Sequence, residues 1–142
     1  MTDVLSFTVD KFTFAVSTDR LYHPEGLWVQ ERDGLLRIGV TDFFQQNNGD
    51  IAFVEMTEPG TVLTAGERLG NIETIKVDIE LPSPISGRVV ETNMKLELEA
   101  EIINQDPYDT GWLVAIEPAA WAVEQAALMS PKPTMSTAIR RR

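Results

Sequence analysis

The chain has no cysteine in its 142 residues and a single histidine, His23. Disulfides and thiolate chemistry are therefore excluded. One histidine leaves few nucleophile and base pairings, so an enzyme is not expected. Ser86 lacks a Gly-x-Ser-x-Gly frame and is no nucleophile elbow. His23, beside Pro24, has no second histidine or cysteine to complete a metal site and reads as a loop residue. Asp106 and Asp109 flank Pro107-Tyr108, which is turn chemistry rather than metal ligation. Basic residues are also scarce. A net charge of −10 argues against binding nucleic acid through its phosphates. It fits a protein that meets partners with basic patches, although acidity can serve solubility alone. No apolar run approaches the length of a membrane span, so no membrane association is expected. Met1-Thr2-Asp3-Val4-Leu5 has no basic region ahead of an apolar run and is no secretory signal, so a cytoplasmic location is expected.

What is present reads as one mainly β domain, residues 1–130, with a mobile tail over 131–142. Leu5, Phe7 and Val9 alternate with polar residues, as do Phe12, Phe14 and Val16, giving strands broken near Asp10-Lys11. Thr18 to Gly26 reads as a loop. Leu27–Gln30 and Leu35–Val40 form a hairpin turning at Asp33-Gly34, a strong turn signal. Thr41 to Gly49 reads as a short helix, with Thr41 as cap, Asp42 at the positive end and Gly49 as terminator. Strands follow over Gly49–Glu55, Ser86–Asn93 and Trp112–Glu117, with turns at Pro59-Gly60 and Ala65-Gly66. Pro118 fits the first position of a C-terminal helix, with Trp121, Gln125 and Leu128 on one face, stopped by Pro131. A faint internal echo relates Gly49–Glu55 and Gly66–Glu73 to Gly87–Glu91 and Gly111–Glu117. Two such halves would make a flattened β-sandwich or half-barrel, joined by the turn after Glu73.

That turn holds the centre of the chain. Leu69 to Leu81 alternates at period 2 on both sides of a polar centre, Glu73-Thr74-Ile75-Lys76. The reading is two antiparallel strands with Lys76 at or next to the tip. No Asn-Gly or Asp-Gly is present, so a type I turn is expected. Position alone would make Lys76 a solvated charge.

The flanking residues change this. Glu73-Thr74-Ile75-Lys76 with Ser83-Pro84-Ile85-Ser86-Gly87 resembles the lipoylation hairpin of glycine-cleavage H proteins. Ile38-Gly39-Val40-Thr41-Asp42, Gly49-Asp50-Ile51 and Asn104-Gln105-Asp106-Pro107-Tyr108-Asp109-Thr110-Gly111-Trp112 extend the resemblance from about Gly34 to Trp121. It implies a sandwich of the lipoyl/biotinyl type and a non-catalytic carrier with lipoate in amide linkage on Lys76. Gly60 and Glu73 match positions that help the lipoate-attaching enzyme find its lysine. The implied partners are a lipoate ligase or lipoyl transferase, glycine-cleavage subunits and dihydrolipoamide dehydrogenase. Biotin carriers usually place methionine on both sides of the lysine, where this chain has Ile75 and Val77.

One departure bears on cargo. The family's His-Glu-Trp triplet supplies a glutamate to the cleft where the amine-bearing arm docks. Here the chain reads His23-Pro24-Glu25-Gly26-Leu27-Trp28, which puts Leu27 at that position. A buried cation needs a carboxylate partner, so an apolar cleft suits it poorly. The chain in this respect resembles the lipoate-binding proteins of sulfur-oxidising prokaryotes, which serve a heterodisulfide-reductase-like complex. A sulfur cargo is thus the expectation, with glycine cleavage as the alternative. An unmodified interaction module is a third reading.

Overall fold

A computed structural model describes residues 4–9, 12–17 and 19–131. The tail beyond Pro131, expected to be mobile, lies outside the described residues, as does the break at Asp10-Lys11. In chain order the elements are β1 (Val4–Val9), β2 (Phe12–Ser17), β3 (Leu21–His23), β4 (Leu27–Arg32), β5 (Leu35–Val40) and α1 (Asp42–Asn48). Next come β6 (Ile51–Met56), β7 (Val62–Leu63), β8 (Arg68–Thr74), β9 (Asp78–Pro82) and β10 (Gly87–Thr92). After a 3-10 turn over Met94–Glu97 follow α2 (Ile102–Gln105), β11 (Val114–Pro118) and α3 (Trp121–Glu124).

Two antiparallel sheets form the expected flattened sandwich. One has six strands in the order β3-β4-β5-β11-β10-β7, the other three in the order β6-β8-β9. Alternation sends Leu36, Ile38, Val89, Val114 and Ile116 inward from the larger sheet, and Leu69, Ile72 and Leu81 from the smaller, into one buried core. Each such side chain contributes about 1.5–3 kcal/mol by leaving water. The strand pairs of the internal echo are both antiparallel, β6 with β8 in one sheet and β10 with β11 in the other. The lysine turn, however, joins β8 to β9 within one sheet. The chain crosses to the other sheet afterwards, between Pro82 and Gly87.

Local signals explain the first helix. The Thr41 hydroxyl accepts the Phe44 N–H at 3.1 Å, and Gly49 ends the helix at φ 82°. Two expectations are corrected. The Thr18–Gly26 segment is not all loop, because Leu21–His23 pairs with Leu27–Val29 as β3. The C-terminal helix is also shorter. Pro118 closes β11, α3 passes into a 3-10 turn at Gln125, and Leu128 is extended. The reason is tertiary: Tyr22 and Met129 exchange both backbone hydrogen bonds at 2.8 Å, which pulls the chain straight.

Around Tyr22 and Trp28 sits a second, smaller core. Arg20 is buried there, its guanidinium 4.4 Å from the Trp28 ring centroid and hydrogen-bonded to the Tyr108 carbonyl. Trp28 Nε1 donates to Pro107 O at 2.9 Å. The Tyr108 hydroxyl donates to Ala15 O at 2.6 Å and accepts the Asp42 N–H at 3.2 Å, fixing β2 to α1. Burial pushes both phenols, Tyr22 and Tyr108, above the ordinary tyrosine range.

Candidate functional site

Thr74-Ile75-Lys76-Val77 closes the β8–β9 hairpin. The Thr74 N–H donates to Val77 O at 2.8 Å. The returning bond, from the Val77 N–H, goes to the Thr74 hydroxyl at 3.0 Å. That same hydroxyl accepts the Lys76 N–H at 3.1 Å. Neither Ile75 nor Lys76 has positive φ, in keeping with the unprimed turn expected from the sequence. Ile75, Lys76 and Val77 are all exposed. Among the described residues the Lys76 ammonium has no ion pair or hydrogen bond, so its amine is open to acylation.

The turn rests on the junction between α1 and β6. The Ile75 N–H donates to Asp50 O at 3.3 Å, just past Gly49. Asn104 holds that junction from beneath: its side-chain N–H groups reach Gly49 O at 3.0 Å and Gln45 Oε1 at 3.1 Å, and its Oδ1 accepts the Ile51 N–H at 3.0 Å. The motif around Asn104 and the lysine hairpin, far apart in sequence, are thus mechanically connected. Asp106 Oδ2 accepts from the N–H and the hydroxyl of Thr110, which is the turn chemistry expected of it. His23 Nδ1 accepts the Glu25 N–H at 3.0 Å and closes its own loop.

Glu73 lies on β8 beside the turn, exposed on the outer face of the small sheet. It shares an open polar groove of about 320 Å³ with Phe53, Glu55, Arg68, Asn71 and Asp78. Gly60 is elsewhere. It turns at φ 95° ahead of β7, and its N–H donates to Val89 O at 2.7 Å in the larger sheet. The structure therefore groups Glu73 with Lys76 and leaves Gly60 outside that hairpin. In the Ser-Pro-Ile-Ser-Gly segment, the Ser83 hydroxyl donates to Ile85 O at 2.6 Å. Glu124 from α3 accepts the Ser86 N–H at 2.7 Å and its hydroxyl at 2.6 Å. A Cβ at Gly87 would stand 2.3 Å from Glu117 O, so the close approach of β10 to β11 needs glycine there.

The sequence reading gave no role to three contributors that lie within its motifs: the Thr74 hydroxyl, the Asp50 carbonyl and Asn104. A threonine two and three residues before the N–H groups it caps is a recognisable local signal. The other two depend on tertiary contact. Leu27 is corrected. It is fully buried in the main core rather than lining an open cleft, so it gives no apolar floor to a docking site.

A small β-sandwich that offers one lysine on a protruding, side-chain-braced turn has the architecture of a carrier domain. Comparison with known proteins is specific on this point. Residues 20–139 match the family described as Glycine cleavage H-protein, to which the chain belongs. It is 46% identical over 101 residues to the glycine cleavage system H protein of Oceanobacillus iheyensis, covering 71% of this chain and 80% of that one. Against the protein of the same description from Listeria monocytogenes it is 45% identical over 112 residues, 79% of this chain and 90% of the other. The crystal structure of a glycine cleavage system H protein from Mycobacterium marinum superposes with a TM-score of 0.76 at 30% identity, covering 89% and 98% of the two chains. Proteins of this family are non-catalytic carriers that bear lipoate on a lysine.

Proposed function

We propose that this protein is the lipoyl carrier of a glycine-cleavage system and that Lys76 is its acceptor lysine. The observation that carries the reading is the exposed Lys76 amine at the tip of a turn fixed by Thr74 and seated on Asp50. Relatives about 45% identical over most of the chain, described as glycine cleavage system H proteins, support the aminomethyl cargo over the sulfur cargo. The sulfur preference rested on Leu27 leaving a cleft apolar, and Leu27 is a core residue.

The chain supplies presentation. Attachment forms an amide between Lys76 Nζ and an activated lipoyl carboxyl: the carboxyl's leaving group departs, the amine gives up a proton, and no electrons are exchanged. Exposure of the tip lets an attaching enzyme, a lipoate ligase or lipoyl transferase, reach that amine. Glu73 is assigned to recognition by that enzyme because it faces outward beside the turn. Gly60 is assigned a supporting role through the turn its positive φ permits. Once bound, lipoate supplies a disulfide that can open to hold a group on sulfur. Residues 1–130 act as one carrier domain, meeting the glycine-cleavage subunits and dihydrolipoamide dehydrogenase in turn.

Co-expression with a lipoate ligase should raise the intact mass by one lipoyl group, and Lys76→Arg should abolish the rise. The loaded wild type should then support bicarbonate exchange by glycine decarboxylase. Persistence of the increment in Lys76→Arg would overturn the site assignment. Absence of exchange together with a retained sulfur adduct from a persulfide donor would return the sulfur cargo.

A further inference from the structure

The lysine turn is built by one side chain. The last paired residues are Glu73 and Asp78, so the loop runs from Thr74 to Val77, a length most often built around an unprimed type I turn. Ile75 and Lys76 have no positive φ, and the Val77 N–H bonds to the Thr74 side chain at 3.0 Å. A hydroxyl has one donor and two acceptor positions. Thr74 uses all three: it accepts from the N–H groups of Lys76 and Val77 and donates to Val77 O at 3.2 Å. It is 5% exposed, so the hydroxyl is held by packing as well as by hydrogen bonds. Its β-branch restricts χ1 further.

We propose that Thr74 is a positioning residue for acylation of Lys76: its buried hydroxyl sets the turn geometry that a lipoate-attaching enzyme must recognise. This rests on the reading of Lys76 as acceptor. Without the hydroxyl, the amides of Lys76 and Val77 turn to water and the tip samples several conformations. The amine itself keeps its exposure and its chemistry. The enzyme then meets the correct tip geometry only part of the time.

The test uses the full chain, a lipoate ligase, lipoate and MgATP, with the lipoyl increment followed by mass. Thr74→Val should lower kcat/KM for lipoylation about tenfold, the equivalent of one or two lost hydrogen bonds. Thr74→Ser should stay within about twofold of wild type, because the hydroxyl is what matters. Acetylation of Lys76 by a small N-hydroxysuccinimide ester should proceed equally in all three. Amide exchange should accelerate at Lys76 and Val77 in Thr74→Val and not at Ile72. Should Thr74→Val fail to fold, Thr74→Ala takes its place. Wild-type rates in Thr74→Val, equal losses in Thr74→Val and Thr74→Ser, or a matching loss in chemical acetylation would each overturn the proposal. No lipoyl increment on wild type would instead overturn the assignment of Lys76, and the two failures are thereby told apart.

Discussion

Two hairpins of this molecule reverse the chain by different means, one over two residues and the other over Thr74 to Val77. The β4–β5 hairpin turns at Asp33-Gly34, where φ is 54° and 81°. Its geometry is stored in the backbone preferences of the two tip residues, and no side chain is needed to hold it. The β8–β9 hairpin turns at Ile75-Lys76 without positive φ and depends on the Thr74 hydroxyl and the Asp50 carbonyl. The difference shows what a functional tip requires. A turn that relies on positive φ at its own two residues disfavours a lysine at either of them. Moving the determinants one residue back and onto a neighbouring element frees the tip for chemistry.

The largest expected effect lies on the β3–β4–β5 side. Tyr22 and Tyr108 have folded-state values raised by burial, so the unfolded chain releases these protons first as pH rises. Their stabilisation is complete below the unfolded value, about pH 10, and is lost progressively above it, at up to ~1.4 kcal/mol per pH unit for each phenol. Urea midpoints should therefore fall steeply above that pH and fall less in Tyr22→Phe. A flat alkaline limb would remove the buried phenols from the account. Next is Asn104→Leu. It removes three hydrogen bonds under the lysine turn and should cost about 3 kcal/mol. Lipoylation should slow as well, while amide exchange around Asp33-Gly34 keeps its rank relative to global unfolding. Equal loosening of both hairpins would break the comparison. The smallest effect is expected for Gly34→Val, which forces a β-branched residue to positive φ and should cost about 2 kcal/mol. Its lipoylation rate, measured where the protein is folded, should equal that of wild type. A slowed rate would mean the two hairpins are coupled.

What was legible in the sequence was local. Asp33-Gly34, the Thr41 cap and the Gly49 terminator each act within a few residues, and each is found where the sequence places it. The alternation around Lys76 likewise gave both strands and the tip. What escaped was defined by distant partners. β3 is three residues long and exists because β4 and Met129 flank it. The early end of the C-terminal helix has the same cause at Met129. The 3-10 turn at Met94 did have a local signal, Asn93, whose side chain accepts the Lys95 N–H. Within the candidate site, Lys76 and Glu73 were named by resemblance, and their shared hairpin followed from the alternation. The support from Asp50 and Asn104 was not, because nothing in the spacing of Asn104 and Ile51 says they touch.

Gly87 closes off change at the point where the chain passes between sheets. A side chain of any kind there would drive its first carbon into the Glu117 carbonyl, which is backbone and cannot rotate away. Every single-base change that replaces a glycine by another amino acid adds that carbon. No mutational step from this residue is therefore small, and a lineage carrying this fold can drift at exposed Arg88 while position 87 stays fixed for reasons of packing alone. A glycine retained within a modification motif can thus record the spacing of two strands, independently of any enzyme that reads the lysine.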